Sequence, residues 1–219
     1  MELLKNCLFI NLEHRKDRLE NIEKQLKLID ISGQRFNAIK MKDGAIGCTM
    51  SHIKCIEIAK KNNWDYVFIC EDDINFTKPK IFLNSLNQFY NDSKLFNSDW
   101  KVLIVGGNNC PPYNRLSDYC IQVSSCQTTT GYIVKKCYYD TLLSNFRESA
   151  SNLLKDPTNK RMYALDMYWK QLQKTDIWYM IIPVTVTQLD NDYSDIEERT
   201  VSYSYLMKDL DKPWLFRQY

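Results

Sequence analysis

Two hydrophobic periodicities alternate along this chain, one typical of β-strands and one typical of α-helices. Apolar runs rich in aromatic and β-branched residues, such as Cys7-Leu8-Phe9-Ile10, predict buried strands. Apolar residues spaced by three or four, as at Leu19, Ile22 and Leu26, predict amphipathic helices. The predicted strands cover residues 7–12, 34–39, 100–105, 119–124, 131–134 and 178–186, with another that begins at residue 64 and ends in acids at 71–73. The predicted helices cover 17–29, 51–61, 80–90, 138–146 and 165–173.

Turn residues and composition complete this outline. Turns are predicted at 43–47, 106–109 and 156–159, and the polar chain beyond residue 186 is expected to be irregular. Strands that alternate with helices predict an α/β fold with a mostly parallel central sheet flanked by helices. Since no linker, repeat or low-complexity tract divides the 219 residues, we expect a single domain over residues 1–219.

The most informative chemical feature is the acidic run Glu71-Asp72-Asp73, which ends the strand that begins at Trp64. Adjacent carboxylates repel one another and resist burial unless a cation compensates them. Oxygen ligands suit Mg²⁺ or Mn²⁺, and such a cation often holds phosphate. The alternative is a solvated turn. Because ligands bind beyond the carboxyl ends of strands in open α/β sheets, Asn11, the three acids and Gly106-Gly107 are expected along one edge, which favours a site.

Composition excludes some functions. A net charge of +2 gives no strong field for nucleic acid or a membrane surface, and the chain shows no membrane span or signal-peptide pattern. The eight cysteines form no C-x-x-C pair and only two histidines occur, so a zinc site of the usual spacing is not expected. We therefore expect a soluble protein of a reducing compartment, the cytoplasm, with no nucleic-acid partner.

Several short motifs occur in an order that resembles glycosyltransferase family 25. They are Ile10-Asn11-Leu12 with Arg15-Lys16-Asp17-Arg18, the segment from Gly44 to His52, Glu71-Asp72-Asp73, Thr129 to Val134, Leu165-Asp166, and Pro183 with Gln188 and Ser194-Asp195-Ile196. That family includes bacterial lipopolysaccharide glycosyltransferases and collagen galactosyltransferases. The resemblance implies a GT-A-like fold, a nucleotide-diphosphate sugar donor, Mn²⁺ or Mg²⁺, and inversion at the anomeric carbon.

The acids and Asp166 receive specific roles from this resemblance. Asp73 is the expected metal ligand, and strand alternation places Glu71 on its side, with Asp72 turned towards ribose or sugar hydroxyls. Asp195 is a further candidate, either as a metal ligand or as an acceptor contact, and Asp190 and Asp192 compete with it for these roles. Asp166 is the candidate base that takes the proton of the acceptor hydroxyl, although it is also placed to cap a helix. The alternative for the acids is one functional carboxylate beside two solvated ones.

Other residues are expected near the donor. Asn11, Arg15 and Arg18 follow the first strand and would approach the uracil or diphosphate, although Arg18 also fits a helix surface. Gly47 would allow close approach of the backbone, and Ser51 and His52 would line the donor site, although a capping Ser51 and a packed His52 are equally ordinary. Thr130 and Gly131 would form the floor under the sugar. In the tail, Trp214, Phe216 and Arg217 would close over the ligand or pack against the body.

Together, these expectations predict that the protein is a metal-dependent inverting glycosyltransferase. It would move glucose or galactose from a UDP-sugar to a hydroxyl of a glycan or protein acceptor. Two alternatives use the same residues: a metal-dependent nucleotide-sugar phosphohydrolase, and a non-catalytic sugar-nucleotide-binding protein. The sequence does not decide the donor sugar, the acceptor or the oligomeric state.

Overall fold

Strands and helices alternate along the chain in the computed structural model, which describes residues 2–216. The strands are β1 (Cys7–Asn11), β2 (Gln34–Asn37), β3 (Tyr66–Glu71), β4 (Ile74–Phe76), β5 (Trp100–Asn109), β6 (Tyr113–Arg115), β7 (Cys120–Val123), β8 (Cys126–Lys135), β9 (Ile177–Ile181), β10 (Val186–Gln188), β11 (Asp192–Ser194) and β12 (Arg199–Val201). The helices are α1 (Lys16–Leu28), α2 (Gly44–Lys61), α3 (Pro79–Asn91), α4 (Ser93–Phe96), α5 (Tyr139–Lys155), α6 (Lys160–Tyr163), α7 (Leu165–Tyr168) and α8 (Ser204–Lys208). Short 3₁₀ helices cover Glu2–Leu4, Lys136–Tyr138, Trp169–Lys174 and Pro213–Phe216.

The central sheet has eight strands within the described residues, in the order β2-β1-β3-β8-β5-β9-β7-β6. The pairs β1–β2, β1–β3 and β5–β9 are parallel, and the remaining pairs are antiparallel. These pairings orient six strands in one direction and only β7 and β8 in the other. The predicted α/β class with a mostly parallel central sheet is therefore confirmed.

Helices cover both faces of this sheet. Alternate strand residues, such as Leu8 and Ile10, belong to a core that includes residues of α2 and α5. Their neighbours, such as Cys7 and Phe9, belong to a second core that includes residues of α1 and α3. Burial on both faces explains why the central strands are continuously apolar in sequence. No helix within residues 2–216 is both long and apolar enough to cross a bilayer.

Two small sheets bring distant segments to the ends of β1 and β3. Strand β10 pairs with β4, which places Gln188 opposite Ile74 and next to Asp73. Strands β11 and β12 form a hairpin whose acids Asp192 and Asp195 reach the start of α1. The expectation of an irregular chain beyond residue 186 is wrong, because these short strands and α8 follow it.

The predicted turn at 43–47 is also wrong. Helix α2 begins at Gly44, because the Asp43 carboxylate caps it by accepting a hydrogen bond from the Ala45 backbone N–H at 2.9 Å. Ser51 is therefore inside the helix and is not its cap. A Cβ on Gly47 would lie 2.5 Å from the carbonyl oxygen of Ile39, so this glycine allows a loop, and not a ligand, to pack closely.

Strand β5 is longer than predicted. It continues through Gly106 and Gly107 to Asn109, because Asn108 and Asn109 still pair with β8. A Cβ on Gly107 would lie 2.7 Å from the sulfur of Cys126, so close packing, and not a turn, accounts for this glycine.

Candidate active site

A cavity of about 670 Å³ opens at the carboxyl ends of β1 and β3. Residues of β3, α2, α7, the start of β8 and the β11–β12 hairpin contribute to its walls. The polar side chains that line it include Arg18, Lys40, Cys48, Ser51, His52, Glu71, Asp72, Asp73, Asn108, Thr128, Thr129, Asp166, Gln188 and Asp195. The cavity therefore lies where the α/β rule places a ligand site, with all three predicted acids in its wall.

Glu71 faces the α2 side of this cavity. Its Oε1 atom accepts a hydrogen bond from the Thr129 hydroxyl at 2.5 Å and lies 3.2 Å from His52 Nε2. The Cys48 sulfur is 3.9 Å from the same oxygen. His52 is completely buried, and its Nδ1 atom lies 2.8 Å from the Tyr132 hydroxyl. A continuous set of polar contacts thus runs from the protein core to Glu71.

Two opposing effects set the pKa of Glu71. Burial acts to raise this pKa, but the hydrogen bond and charge from His52 and the hydroxyl of Thr129 outweigh burial and lower it. The pKa of the neighbouring Cys48 thiol is raised, first by burial and then by the charge of Glu71. Glu71 is therefore a stabilised carboxylate in contact with a sulfur and an imidazole.

Asp72 and Asp73 face the opposite side of the cavity. They form the turn between β3 and β4, so the alternation of an extended strand stops at Glu71. Asp72 accepts hydrogen bonds from Asn11 at 2.6 Å and from Arg18 at 3.0 Å. Asp73 Oδ2 accepts from Gln188 at 3.1 Å and lies 3.7 Å from Arg18 Nη1. Arg18 thus contacts both acids, contrary to the expectation that they point to opposite sides.

Asp73 is the least compensated of the three acids. Its other oxygen, Oδ1, is buried without a hydrogen-bond partner in the described structure. Burial raises the pKa of Asp73 to about 8, and the negative charge of Glu71 adds to this rise. The pKa of Asp72 is also raised by burial, although Arg18 and Asn11 oppose the shift. Without a bound cation, the arrangement therefore favours a proton on Asp73.

Arg15 and Arg18 connect the acidic turn to the β11–β12 hairpin. Arg15 donates to Asp195 at 2.7 Å and to the Tyr193 carbonyl at 2.8 Å, and it also pairs with Asp17. Arg18 donates through Nε to Asp192 at 2.7 Å. Both guanidinium groups are therefore occupied by carboxylates of the protein, and Arg15 is buried behind the cavity wall.

Asp166 lies in the first turn of α7 and lines the cavity. Its Oδ2 atom accepts a hydrogen bond from the Thr128 N–H at 3.0 Å, and burial raises its pKa in spite of this bond. Thr128 has φ 74°, an uncommon value for a β-branched residue. Ala164, and not Asp166, occupies the capping position of α7.

The predicted site residues fall into two groups, those that line the cavity and those that do not. The residues that line the cavity are Arg18, Ser51, His52, Glu71, Asp72, Asp73, Asp166 and Asp195. The residues that, in the described structure, lie outside this lining are Asn11, Arg15, Gly47, Thr130 and Gly131. Asn11 and Arg15 hold lining groups in place, whereas a Cβ on Gly131 would lie 3.0 Å from Ile74, which indicates close packing. Trp214 is 47% exposed, and Arg217 lies outside the described residues.

Metal-ligating side chains group differently from the prediction. Within residues 2–216, the three groups whose donor atoms all lie within 4.8 Å of one another are Cys48, His52 and Glu71. The Asp195 oxygens contact Arg15 and His14. That Glu71, Asp73 and Asp195 bind one metal ion stays a prediction.

Sequence reasoning missed several contacts of the cavity. Thr129 and Gln188 lie in sequence motifs that assign them no role, yet they donate hydrogen bonds to Glu71 and Asp73. Cys48 and His52 are four residues apart, a spacing that places two side chains on one helix face. The sequence does not reveal this pairing, because the predicted helix begins at residue 51 and excludes Cys48, whereas α2 begins at Gly44.

The fold is α/β, and the acidic cavity is a candidate ligand site at the strand ends. A comparison with protein families makes this class of protein specific. The model of glycosyltransferase family 25 (LPS biosynthesis protein) matches residues 40–169. That match covers more than half of the chain, so this protein belongs to glycosyltransferase family 25.

Individual relatives are more distant. A protein of Haemophilus influenzae named "Putative glycosyltransferase" is 43% identical over 54 residues, which are 25% of this chain and 19% of that protein. A glycosyltransferase involved in glycosylation of the major capsid of PBCV-1 is 11% identical, with 81% of this chain and 94% of that chain covered and a TM-score of 0.40. Mannose-1-phosphate geranyltransferase from Thermus thermophilus is 9% identical, with 82% of this chain and 73% of that chain covered and a TM-score of 0.46.

Proposed function

We propose that this protein is a metal-dependent inverting glycosyltransferase that moves glucose or galactose from a UDP-sugar to a hydroxyl of a glycan or protein acceptor. Membership of family 25 supports sugar transfer. The observation that carries the proposal is Asp73, a buried carboxylate in the cavity wall with one oxygen that has no hydrogen-bond partner in the described structure.

The residues around Asp73 fit a divalent cation of the Mn²⁺ or Mg²⁺ type. Both cations prefer oxygen ligands, and Asp73 offers an unpartnered oxygen whose negative charge is otherwise disfavoured by burial. Asp73 would hold the cation, which would act as a Lewis acid on the departing diphosphate. Glu71 and Asp195, its predicted companions, would first have to give up contacts with His52 and Arg15.

The cavity suits a sugar nucleotide in size and chemistry. Its volume of about 670 Å³ lies within the range of small-molecule sites. Ile10, Leu12 and Ala38 supply an apolar lining for a base, and Arg18 and Lys40 supply positive charge for phosphate. Arg18 lies beside the acidic turn, and it would exchange its contact with Asp72 or Asp192 for one with the diphosphate.

Asp166 is the proposed general base. It lines the same cavity as Asp73. Burial raises its pKa towards neutral pH, where a general base is most effective. The Thr128 N–H holds one carboxylate oxygen, so the group is oriented before an acceptor arrives. The acceptor hydroxyl would transfer its proton to Asp166 as its oxygen attacks the anomeric carbon from the face opposite the leaving diphosphate.

We also place the protein in a reducing compartment such as the cytoplasm. All eight cysteines are free, and five of them are buried. Free buried thiols support an environment without disulfide formation.

A screen of UDP-sugars tests the proposed function directly. UDP-glucose and UDP-galactose would each be incubated with the protein in Mn²⁺ or in EDTA, with thermal unfolding and release of UDP as readouts. Ligand at one hundred times its dissociation constant stabilises the native state by about 2.7 kcal/mol. We expect stabilisation and UDP release with at least one donor, in Mn²⁺ only. No binding and no turnover with any UDP-hexose would contradict the proposal, and product analysis separates transfer from phosphate release.

A further inference from the structure

Beyond sugar transfer, we propose that Cys48, His52 and Glu71 form a binding site for a zinc-type divalent cation, and that Glu71 serves this site instead of joining Asp73 at the cation of the proposed transferase. Nothing in family membership assigns this cluster. The donor atoms of the three side chains all lie within 4.8 Å of one another, and all three residues line the cavity, so a cation can reach them.

The fold brings these groups together through two elements. Cys48 and His52 are four residues apart on α2, so both side chains leave the same helix face. Glu71 ends β3 and points its Oε1 atom at that face, 3.2 Å from His52 Nε2 and 3.9 Å from Cys48 Sγ. The three donors therefore converge from a helix and a strand that the core holds rigidly.

The chemistry of the donors selects the class of cation. A thiolate, an imidazole nitrogen and a carboxylate oxygen are ligands that zinc accepts together, whereas Mg²⁺ and Mn²⁺ favour sites built from oxygen. Three protein ligands with a fourth position open to the cavity are typical of catalytic zinc sites, whereas structural zinc sites are closed by four protein ligands. The cluster thus differs from Asp73 in the type of cation it prefers.

The surroundings of the ligands fit this assignment. A histidine that binds metal through one nitrogen usually has its other nitrogen held by a hydrogen bond. His52 Nδ1 lies 2.8 Å from the Tyr132 hydroxyl, and the His52 ring stacks on Tyr132 with its edge towards Phe146. Thr129 holds Glu71 at 2.5 Å. With Nε2 on a cation, the Nδ1 proton would be donated to the Tyr132 oxygen.

Cobalt substitution tests the site in the full chain. Co²⁺ bound to a thiolate gives a charge-transfer band in the near ultraviolet, which carboxylate ligands do not give. We expect this band at one equivalent of Co²⁺, its loss on addition of Zn²⁺, and its absence in Cys48→Ser. The matched control is Cys110→Ser, which changes another half-buried cysteine and should retain the band. No band in the wild type, or an undiminished band in Cys48→Ser, would overturn the proposal.

Alkylation of the wild-type protein supplies a measurement that needs no variant. Zn²⁺ bound by Cys48 should slow its reaction with iodoacetamide, about tenfold at ten times the dissociation constant of the site. Peptide mapping should show equal labelling of Cys110 and Cys137 with and without Zn²⁺. Equal labelling of Cys48 under both conditions would refute the assignment.

The outcome is independent of the proposed sugar transfer. Asp73→Asn should keep the cobalt band, because Asp73 contributes no donor to this cluster. A protein that transfers no sugar can still show the band, and an active enzyme can lack it. Loss of the band in Asp73→Asn would show one shared site and would contradict the separation proposed here.

Discussion

Glu71 and Asp73 are two residues apart and line the same cavity, yet their environments differ in almost every respect. Glu71 ends a strand and is held by Thr129 and His52, and its pKa is lowered in spite of burial. Asp73 lies in the following turn, has one oxygen without a partner in the described structure, and has a pKa raised to about 8. The two carboxylates are therefore prepared for different partners.

The difference arises from the elements that surround each residue. The side chain of Glu71 meets α2 and the start of β8, which offer nitrogen, sulfur and a hydroxyl. Asp73 meets β10, which offers one amide donor from Gln188, and it lies 3.7 Å from the Nη1 atom of Arg18. A buried carboxylate with few donors remains costly until a cation arrives. Of these two carboxylates, Glu71 is satisfied by protein groups, whereas Asp73 retains an oxygen without a hydrogen-bond partner in the described structure.

The largest expected effect comes from Asp73→Asn. Loss of the charge that would hold Mn²⁺ should reduce transfer by about 10³-fold or more, because stabilisation of the leaving diphosphate is lost. The thermal shift produced by Mn²⁺ should disappear as well. The matched comparison is Glu71→Gln, which keeps an acceptor for Thr129 and should leave most of that shift. An equal loss in both variants would mean that the two acids act as a pair, as strand alternation suggested.

The variant Asp166→Asn tests the proton transfer independently of cation binding. The amide oxygen can still accept from Thr128, so the fold and the affinity for UDP with Mn²⁺ should be unchanged. Transfer should fall by about 10² to 10⁴-fold, the usual contribution of a general base. Initial rates with a saturating donor and a calorimetric titration of UDP provide the two readouts. Loss of UDP binding would instead assign Asp166 a structural role.

The positions of β1 and β3 were predictable because burial on both faces leaves a continuous apolar run in the sequence. Cys7–Asn11 and Tyr66–Glu71 therefore agree with the sequence to within two residues. The rule that ligands bind at carboxyl strand ends also placed the acids correctly in a cavity wall.

The failures have two physical causes. Glycines at 44, 47 and 107 were interpreted as turns, although they permit backbone or side-chain packing at distances that a Cβ would obstruct. Contacts between segments far apart in sequence were also invisible. Gln188 meets Asp73 only because β10 pairs with β4, and Arg15 meets Asp195 only because a late hairpin returns to α1.

A smaller effect is expected from Tyr132→Phe, which acts on the Glu71 side alone. Its hydroxyl is the group that contacts His52 Nδ1, so its loss leaves a buried nitrogen unsatisfied and should cost about 1–3 kcal/mol of unfolding free energy. Co²⁺ affinity should fall about 10 to 100-fold, as is usual when the partner of a metal-binding histidine is removed. The control is Tyr113→Phe, because the Tyr113 hydroxyl donates an exposed hydrogen bond to Asp211. Unchanged Co²⁺ affinity in Tyr132→Phe would mean that His52 does not bind the cation.

Asp73 should also make the stability of the protein depend on pH. The folded state keeps a proton on this carboxyl up to about pH 8, whereas the unfolded chain releases it near the ordinary value of 3.8. Between those values the unfolded state binds one proton fewer, so the unfolding free energy should fall by about 1.4 kcal/mol per pH unit as the pH rises. Urea unfolding in EDTA at pH 5, 6, 7 and 8 measures the slope, and its difference from Asp73→Asn isolates this group. Mn²⁺ should flatten the wild-type slope, because the cation replaces the proton as the partner of Asp73. Parallel slopes in wild type and variant would show that Asp73 is ionised without a cation, and the contrast with Glu71 would then fail.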